Sequence, residues 1–347
     1  MGCCYVLRRT GIRRPLKIDR GTRLGFLGVI RLSSYLRYVA LAFSIILSSA
    51  EVAAAGVDKL IVMGTGSPAG VFSRVGKGLC SLVNNKREQH LVRCISYNSG
   101  GSDFNVHSVL SNGMDFGMTS SDVAYMTFKS KDYSAKKLRL VAALYEMPTA
   151  VIIHSGSQIN SLADVPGKSI NKGNIGSGKR TTTNLIFKIK NWADSSFSKV
   201  FELGSAGAGE AFCSGKLKIM IDQLGNPSSF YEKMFNTCEG KLISFSEQFI
   251  GKIIAAHPYL NAQTIKAEHY GSITDDIKTF GSEALIVTRS DISDHTVYSF
   301  LKSIYSDVGG YKRIHPALGE PNLDISKLNA TGIPLHNGGK RFFQGND

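Results

Sequence analysis

The residues whose types and spacing could do chemistry fall in four short polar segments. Gly173, Gly178 and Lys179 nearly match the P-loop spacing, in which a glycine-rich turn cradles phosphates with backbone N–H groups and a lysine reaches the terminal phosphate. Residues 218–222 (Lys, Ile, Met, Ile, Asp) resemble the apolar strand whose closing aspartate supports magnesium. Position 180 is Arg, however, where that loop needs a Ser or Thr hydroxyl to hold the metal, which argues against nucleotide hydrolysis. A glycine-rich turn at a helix N-terminus still binds anions without a metal, and Arg180 adds a planar fork that fits a carboxylate. The other segments are 64–70 (GTGSPAG), 98–102 (NSGGS) and 119–122 (TSSD). The first lacks the third glycine and the later acidic residue of a dinucleotide turn. Any one of them suits an ordinary strand-to-helix turn; three in one lobe, facing an arginine-bearing loop, favour an anion site.

Catalytic constellations are missing from the sequence. The eight histidines form no HExxH and no pair at helical spacing, and no GxSxG elbow occurs. Asp122 fits a helix N-cap or an acceptor for a ligand amine better than a general base. His154, His257 and His315 fit surface or core positions better than ligand positions. Binding without turnover is expected, with no catalytic residue, metal or cofactor.

The elements that must hold these segments alternate between strand and helix. Strands are predicted at 60–63, 92–97 and 114–118, each ending in a polar loop that opens a helix, the first of them over 71–83. That order is the doubly wound α/β pattern, which puts such loops at the carboxyl edge of one sheet, where ligands bind. A long strand around Pro148 (140–154), a strand at 168–170 leading into 173–180, and strands at 219–221 and 241–244 begin a second set; 284–288 can return to the first. The expected architecture is two lobes joined by crossing hinge strands, with the ligand in the cleft between them. The divisions are lobe one at 56–150, lobe two at 151–265, and a return to lobe one with C-terminal helices at 266–347.

The chain of 347 residues is 43% hydrophobic and 20% charged, too apolar to be disordered, and carries a net charge of +14. Half of that charge, nine cations against Asp19 and Glu51, lies in residues 1–55. There a basic stretch precedes an apolar run at 38–49 and the small residues Ala53, Ala54 and Ala55, the order of a secretory signal peptide with a long basic n-region. Twelve helical residues reach about 18 Å, short of a bilayer core of about 30 Å, so cleavage near Ala55 and export to the periplasm are expected over a permanent anchor. The remaining +7 is moderate, and no nucleic-acid partner is expected. Removing the leader leaves Cys80, Cys94, Cys213 and Cys238, an even set consistent with two disulfides in any of three pairings, or with buried thiols.

Six words of sequence together resemble the TAXI family, the extracytoplasmic solute receptors of tripartite ATP-independent periplasmic (TRAP) transporters, also known as immunogenic periplasmic proteins. They are GTGSPAGVF, NSGGSDFNVHSVLSNGMDFGMTSSDVAY, LRLVAALYEMPTAVIIHSGSQINSLADVPGKSI, GSGKRTT, ALIVTRSDISD and IPLHNGGKRFF. The resemblance implies a type II periplasmic binding-protein fold closing on a small organic anion, typically a dicarboxylate or an acidic amino acid, and delivering it to a membrane-embedded permease. It implies ligand contacts from Thr65, Gly66, Ser67 and Phe72, from Asn98, Ser99, Gly101 and Ser102, from Ser121 and Asp122, and from Tyr145, Ser177, Arg180 and Thr181. It also implies disulfides pairing GLCSLVN with VRC and AFCSGK with NTC. Ser67 and Ala69 replace glycines usual in the family, Ser120 a common glutamine, and Asn226 a histidine that often precedes Pro227. A nucleotide-binding enzyme using the near-P-loop, and a surface antigen or sensor keeping the fold without a transporter, are the alternatives.

Overall fold

The computed structural model describes residues 58–345, and the expected leader lies outside them. Strand β1 (Lys59–Gly64) turns at Gly70 into helix α1 (Val71–Asn84), whose buried Val71, Val75, Leu79 and Val83 recur every four residues and face the sheet. A one-turn helix α2 (Arg87–His90) precedes β2 (Val92–Tyr97) and α3 (Ser102–Leu110); β3 (Phe116–Ser120) precedes α4 (Ser121–Lys129). The long β4 (Leu138–His154) runs out of this lobe into β5 (Ser169–Asn171), α5 (Gly178–Lys190), β6 (Lys199–Phe201) and α6 (Ser205–Cys213). Next come β7 (Ile219–Gln223), α7 (Ser229–Asn236), β8 (Gly240–Ile243), α8 (Glu247–Ala256) and β9 (Asn261–Ile265). Strand β10 (Ile277–Arg289) returns, and α9 (Asp294–Tyr305), α10 (Val308–Ile314), α11 (Ile325–Ala330) and α12 (Asn337–Phe343) close the chain.

The strand order is β2-β1-β3-β10-β4-β7-β5-β6, with β8 on β4 and β9 on β10. Two strands make the crossing. Residues 138–148 of β4 pair antiparallel with β10, whereas 149–154 pair with β7 and β8. Likewise 277–281 of β10 pair with β9, and 284–288 pair with β3. The parallel strands β1, β2 and β3 on one side, and β5, β6 and β7 on the other, therefore aim their carboxyl ends toward the crossing. The crossing holds a buried polar network: Gln223 Nε2 donates to Thr149 Oγ1 (3.1 Å), Ser282 Oγ to Gln223 Oε1 (3.1 Å) and Thr279 Oγ1 to Thr149 O (2.7 Å). Satisfied polar groups of this kind fix how strands cross, since leaving any one unpaired costs about 1–3 kcal/mol.

The α/β architecture with a central sheet agrees with the sequence reading, and one detail is corrected. The segment 119–122 is not a loop: β3 continues through Thr119 and Ser120 and passes directly into α4. Both residues are fully buried and pair with Leu285 and Ala284 of β10, so the ladder takes up the backbone that a loop would have freed. The four cysteines among the described residues form Cys80–Cys94, tying α1 to β2, and Cys213–Cys238, tying the end of α6 to the connection between α7 and β8.

Candidate functional site

A cavity of about 70 Å³ lies where the two sets of parallel strands end. Five helices begin in its wall: α1 after Gly70, α3 at Ser102, α4 after Ser120, α5 at Gly178 and α6 at Ser205. The first turn of each helix presents N–H groups without partners inside the helix and a partial positive charge. At α1, α3, α4 and α6 no side chain caps the start. At α5, Ser177 Oγ accepts from Arg180 N at 3.3 Å. Phe72, Met147 and Leu224 add an apolar wall. Tyr145 is part of this wall; its hydroxyl is buried without a hydrogen-bond partner, and burial, with Tyr311 nearby, lifts its pKa well above the ordinary tyrosine value, so it stays protonated.

The lobes are in contact around the cavity. Asp103 N and Phe104 N of α3 donate to Gly176 O across the gap (3.1 Å each), and Asn174 Nδ2 donates to Gly100 O at 3.0 Å. Gly101 adopts φ 110°, a conformation side chains resist, and Gly178 sits so close to lobe one that a β-carbon would lie 2.7 Å from Ser102 Oγ and 2.9 Å from Ser120 Oγ. On the far side of α4, Ser121 Oγ donates to Tyr259 O at 3.0 Å.

Lys179 is the cation in the cavity wall, and it is already occupied. Its Nζ donates to Asp222 at 2.9 Å and to Ser205 Oγ at 2.8 Å, with side chains 10% and 4% exposed for Lys179 and Asp222. The two halves of the near-P-loop pattern thus meet, as an internal ion pair. Arg180 is absent from the wall. One nitrogen donates to Gly173 O (3.1 Å) and another to Glu202 Oε1 (2.6 Å), so the guanidinium ties the loop to the segment just after β6 and is absent from the cavity lining.

Of the residues that the sequence nominated, Gly66, Ser67, Phe72, Gly101, Ser102, Tyr145 and Ser177 line the cavity. Thr65, Asn98 and Ser99 stand behind it. Thr65 Oγ1 donates to Tyr97 O (2.8 Å), Asn98 Oδ1 accepts from Ser73 Oγ (2.7 Å), and Ser99 Oγ donates to Asn105 Oδ1 (2.6 Å). Ser121 holds Tyr259, and Thr181 lines a separate surface groove beside His107. Asp122 is buried one turn away, with Oδ2 3.5 Å from Thr182 Oγ1 of α5 and no partner for Oδ1; burial lifts its carboxyl above the usual aspartate range. Among the family departures, Ser67 and Ser120 face the cavity, whereas Asn226 does not and instead accepts from the Tyr270 hydroxyl.

Sequence reasoning missed Gln223, Ser205 and Asn105. Asn105 is fully buried, and its Nδ2 donates to Thr65 O and Met118 O at 2.7 Å each, so one amide fixes the ends of β1 and β3 and, through Ser99, the loop after β2. Its place on α3, three residues after Ser102, was the available signal. Among the described residues no group of His, Cys, Asp and Glu could hold a metal, and no helix is long and apolar enough to cross a membrane.

Two solved structures share the fold at low identity. The periplasmic binding protein BugD is 12% identical, with 83% of this chain and 94% of that chain covered and a TM-score of 0.52. XAC2383 from Xanthomonas citri bound to ATP is 9% identical, covering 84% and 100%, with a TM-score of 0.51. Residues 63–345 match the family model described as NMT1-like. The chain belongs to the NMT1-like family and folds as a periplasmic binding protein does.

Proposed function

We propose that the protein is an exported solute receptor of the TAXI class, which binds a small organic anion between its lobes and delivers it to a membrane-embedded TRAP permease. The observation that carries this reading is the cavity wall, where five helices begin and which Tyr145, with its partnerless hydroxyl, also lines. Helix N-termini attract negative charge without a dedicated cation, which matters because Lys179 is neutralised by Asp222. Ser67, Ser102 and Tyr145 supply donors, and Phe72, Met147 and Leu224 accept a short carbon chain, a combination that suits a dicarboxylate or an acidic amino acid such as glutamate. In this reading Arg180 holds its loop and does not clamp the ligand. Lobes spanning 56–150 with the return from 266, and 151–265, close about β4 and β10, and the ligand selects the closed state.

Thermal unfolding against a panel of dicarboxylates and amino acids tests the proposal. A ligand at 100 times its dissociation constant adds about 2.7 kcal/mol. No stabilisation by any organic anion would overturn it. The second class, a nucleotide-binding enzyme, draws on the Lys179–Asp222 juxtaposition; stabilisation by magnesium ATP, with none by organic anions, would favour it. A gene for a polytopic membrane subunit beside this one separates a transport receptor from a surface antigen or sensor.

A further inference from the structure

A groove of about 360 Å³ adjoins the 70 Å³ cavity: Gly70 and Val71, at the start of α1, line both. Like the cavity it is walled by both lobes, by α1 from lobe one and by α6 and α7 from lobe two. On each of these helices a charged side chain stands one turn beyond a lining residue at the helix start. Arg74 follows Gly70 by four positions, Glu210 follows Ala206 by four and Lys233 follows Ser229 by four, and residues so spaced share a helix face. Among the described residues none of these three side chains makes a hydrogen bond or an ion pair, in contrast to Lys179 and Arg180.

His315, which also lines the groove, is not a further charge. Its Nδ1 accepts from Ala317 N at 3.1 Å, which leaves the proton on Nε2 and the ring neutral, and burial followed by the Arg74 charge lowers its pKa. Two cations against the single carboxylate of Glu210 leave the groove with a net charge of +1. The cavity gives that excess a use. Its one lining cation, Lys179, is cancelled by Asp222, so a ligand with a second anionic group has no free cation for it inside, whereas the adjoining groove has two. Leaving the second group in the groove also spares it the desolvation that the enclosed cavity would impose. Arg74, Lys233 and Glu210 are exposed, so water and salt screen them and the gain is modest.

We propose that this groove is an outer subsite for the second anionic group of an elongated organic dianion, held between Arg74 of lobe one and Lys233 of lobe two, with Glu210 limiting the subsite to one negative charge. The inference rests on the reading that the cavity takes an organic anion. Titration calorimetry of the full chain compares dicarboxylates of increasing length (succinate, adipate, suberate) with the matched monocarboxylates (butyrate, hexanoate, octanoate), in the native chain and in Arg74→Gln and Glu210→Gln. The native chain binds adipate or suberate about ten-fold more tightly than the matched monocarboxylate, the worth of one hydrogen bond to a charged group. Arg74→Gln brings that ratio close to one, and Glu210→Gln raises it. Because neither side chain is bonded within the protein, both variants keep the native unfolding midpoint. Equal binding of dicarboxylate and monocarboxylate by the native chain, a preference confined to succinate, or a ratio unchanged in Arg74→Gln would overturn the outer subsite and leave the cavity reading standing. Binding of none of these probes would overturn both.

Discussion

Two buried aspartates occupy comparable places in the two lobes and live in different electrostatic worlds. Asp222 lies in β7, a parallel strand of lobe two, and Asp122 follows β3, a parallel strand of lobe one. Asp222 is held by Lys179 and by Gln223 N at 2.8 Å, so its charge is cancelled inside its own lobe. Asp122 has no cation and meets the opposite lobe through Thr182 alone, at a distance that gives little hydrogen-bond energy. The difference teaches that lobe two presents a neutral, prearranged face, whereas lobe one presents a carboxyl that closure leaves dry. On the proposed closure, burial of Asp122 favours its protonated form, whereas Asp222 keeps its Lys179 partner within lobe two.

The largest effect comes from breaking the paired side. Lys179→Met leaves Asp222 buried and uncompensated, and unfolding by denaturant should show a loss of about 3–5 kcal/mol; unchanged stability would mean that lobe two is not neutralised as described. Next, Gly178→Ala places a β-carbon against Ser102 and Ser120, so calorimetry should find solute affinity at least ten-fold weaker. Equal affinity would show that the lobes need not meet for binding. On the unpaired side, Asp122→Asn sharpens the contrast. Because burial raises the carboxyl above its ordinary 3.8, the folded chain keeps the proton to higher pH than the unfolded chain does, and native stability falls as pH rises from 3.8 through the raised value. The variant should lack that fall and be the more stable at pH 7; parallel pH profiles would contradict it. The smallest effect is expected from Arg180→Gln, which removes a partly exposed pair with Glu202 and should change stability by no more than about 1 kcal/mol and leave affinity within about three-fold.

The fold was legible because its cues are local. The four-residue stripe of α1, the Val92–Tyr97 strand and the Ser177 cap each declare themselves within a few residues. The cavity was legible as loops, since Gly66, Ser67, Gly101, Ser102 and Ser177 sit where strands end. Side-chain direction was not. Whether Arg180 faces the cavity depends on Glu202, 22 residues away just after β6, and whether Lys179 is free depends on Asp222, 43 residues away. The Lys-to-Asp pattern was visible, but its outcome as an ion pair is tertiary. Asn105 escaped for the same reason: its three partners come from β3 and from the segments after β1 and β2.

The account rests most heavily on the Tyr145 hydroxyl being a ligand donor in the cavity. Titration calorimetry of the native chain and of Tyr145→Phe with the panel of dicarboxylates and amino acids measures this directly. The expected result is at least one organic anion bound by the native chain and bound roughly ten-fold more weakly by the variant, the worth of one hydrogen bond to a charged group. Binding of equal strength in the two proteins, or no binding by the native chain, would contradict the account.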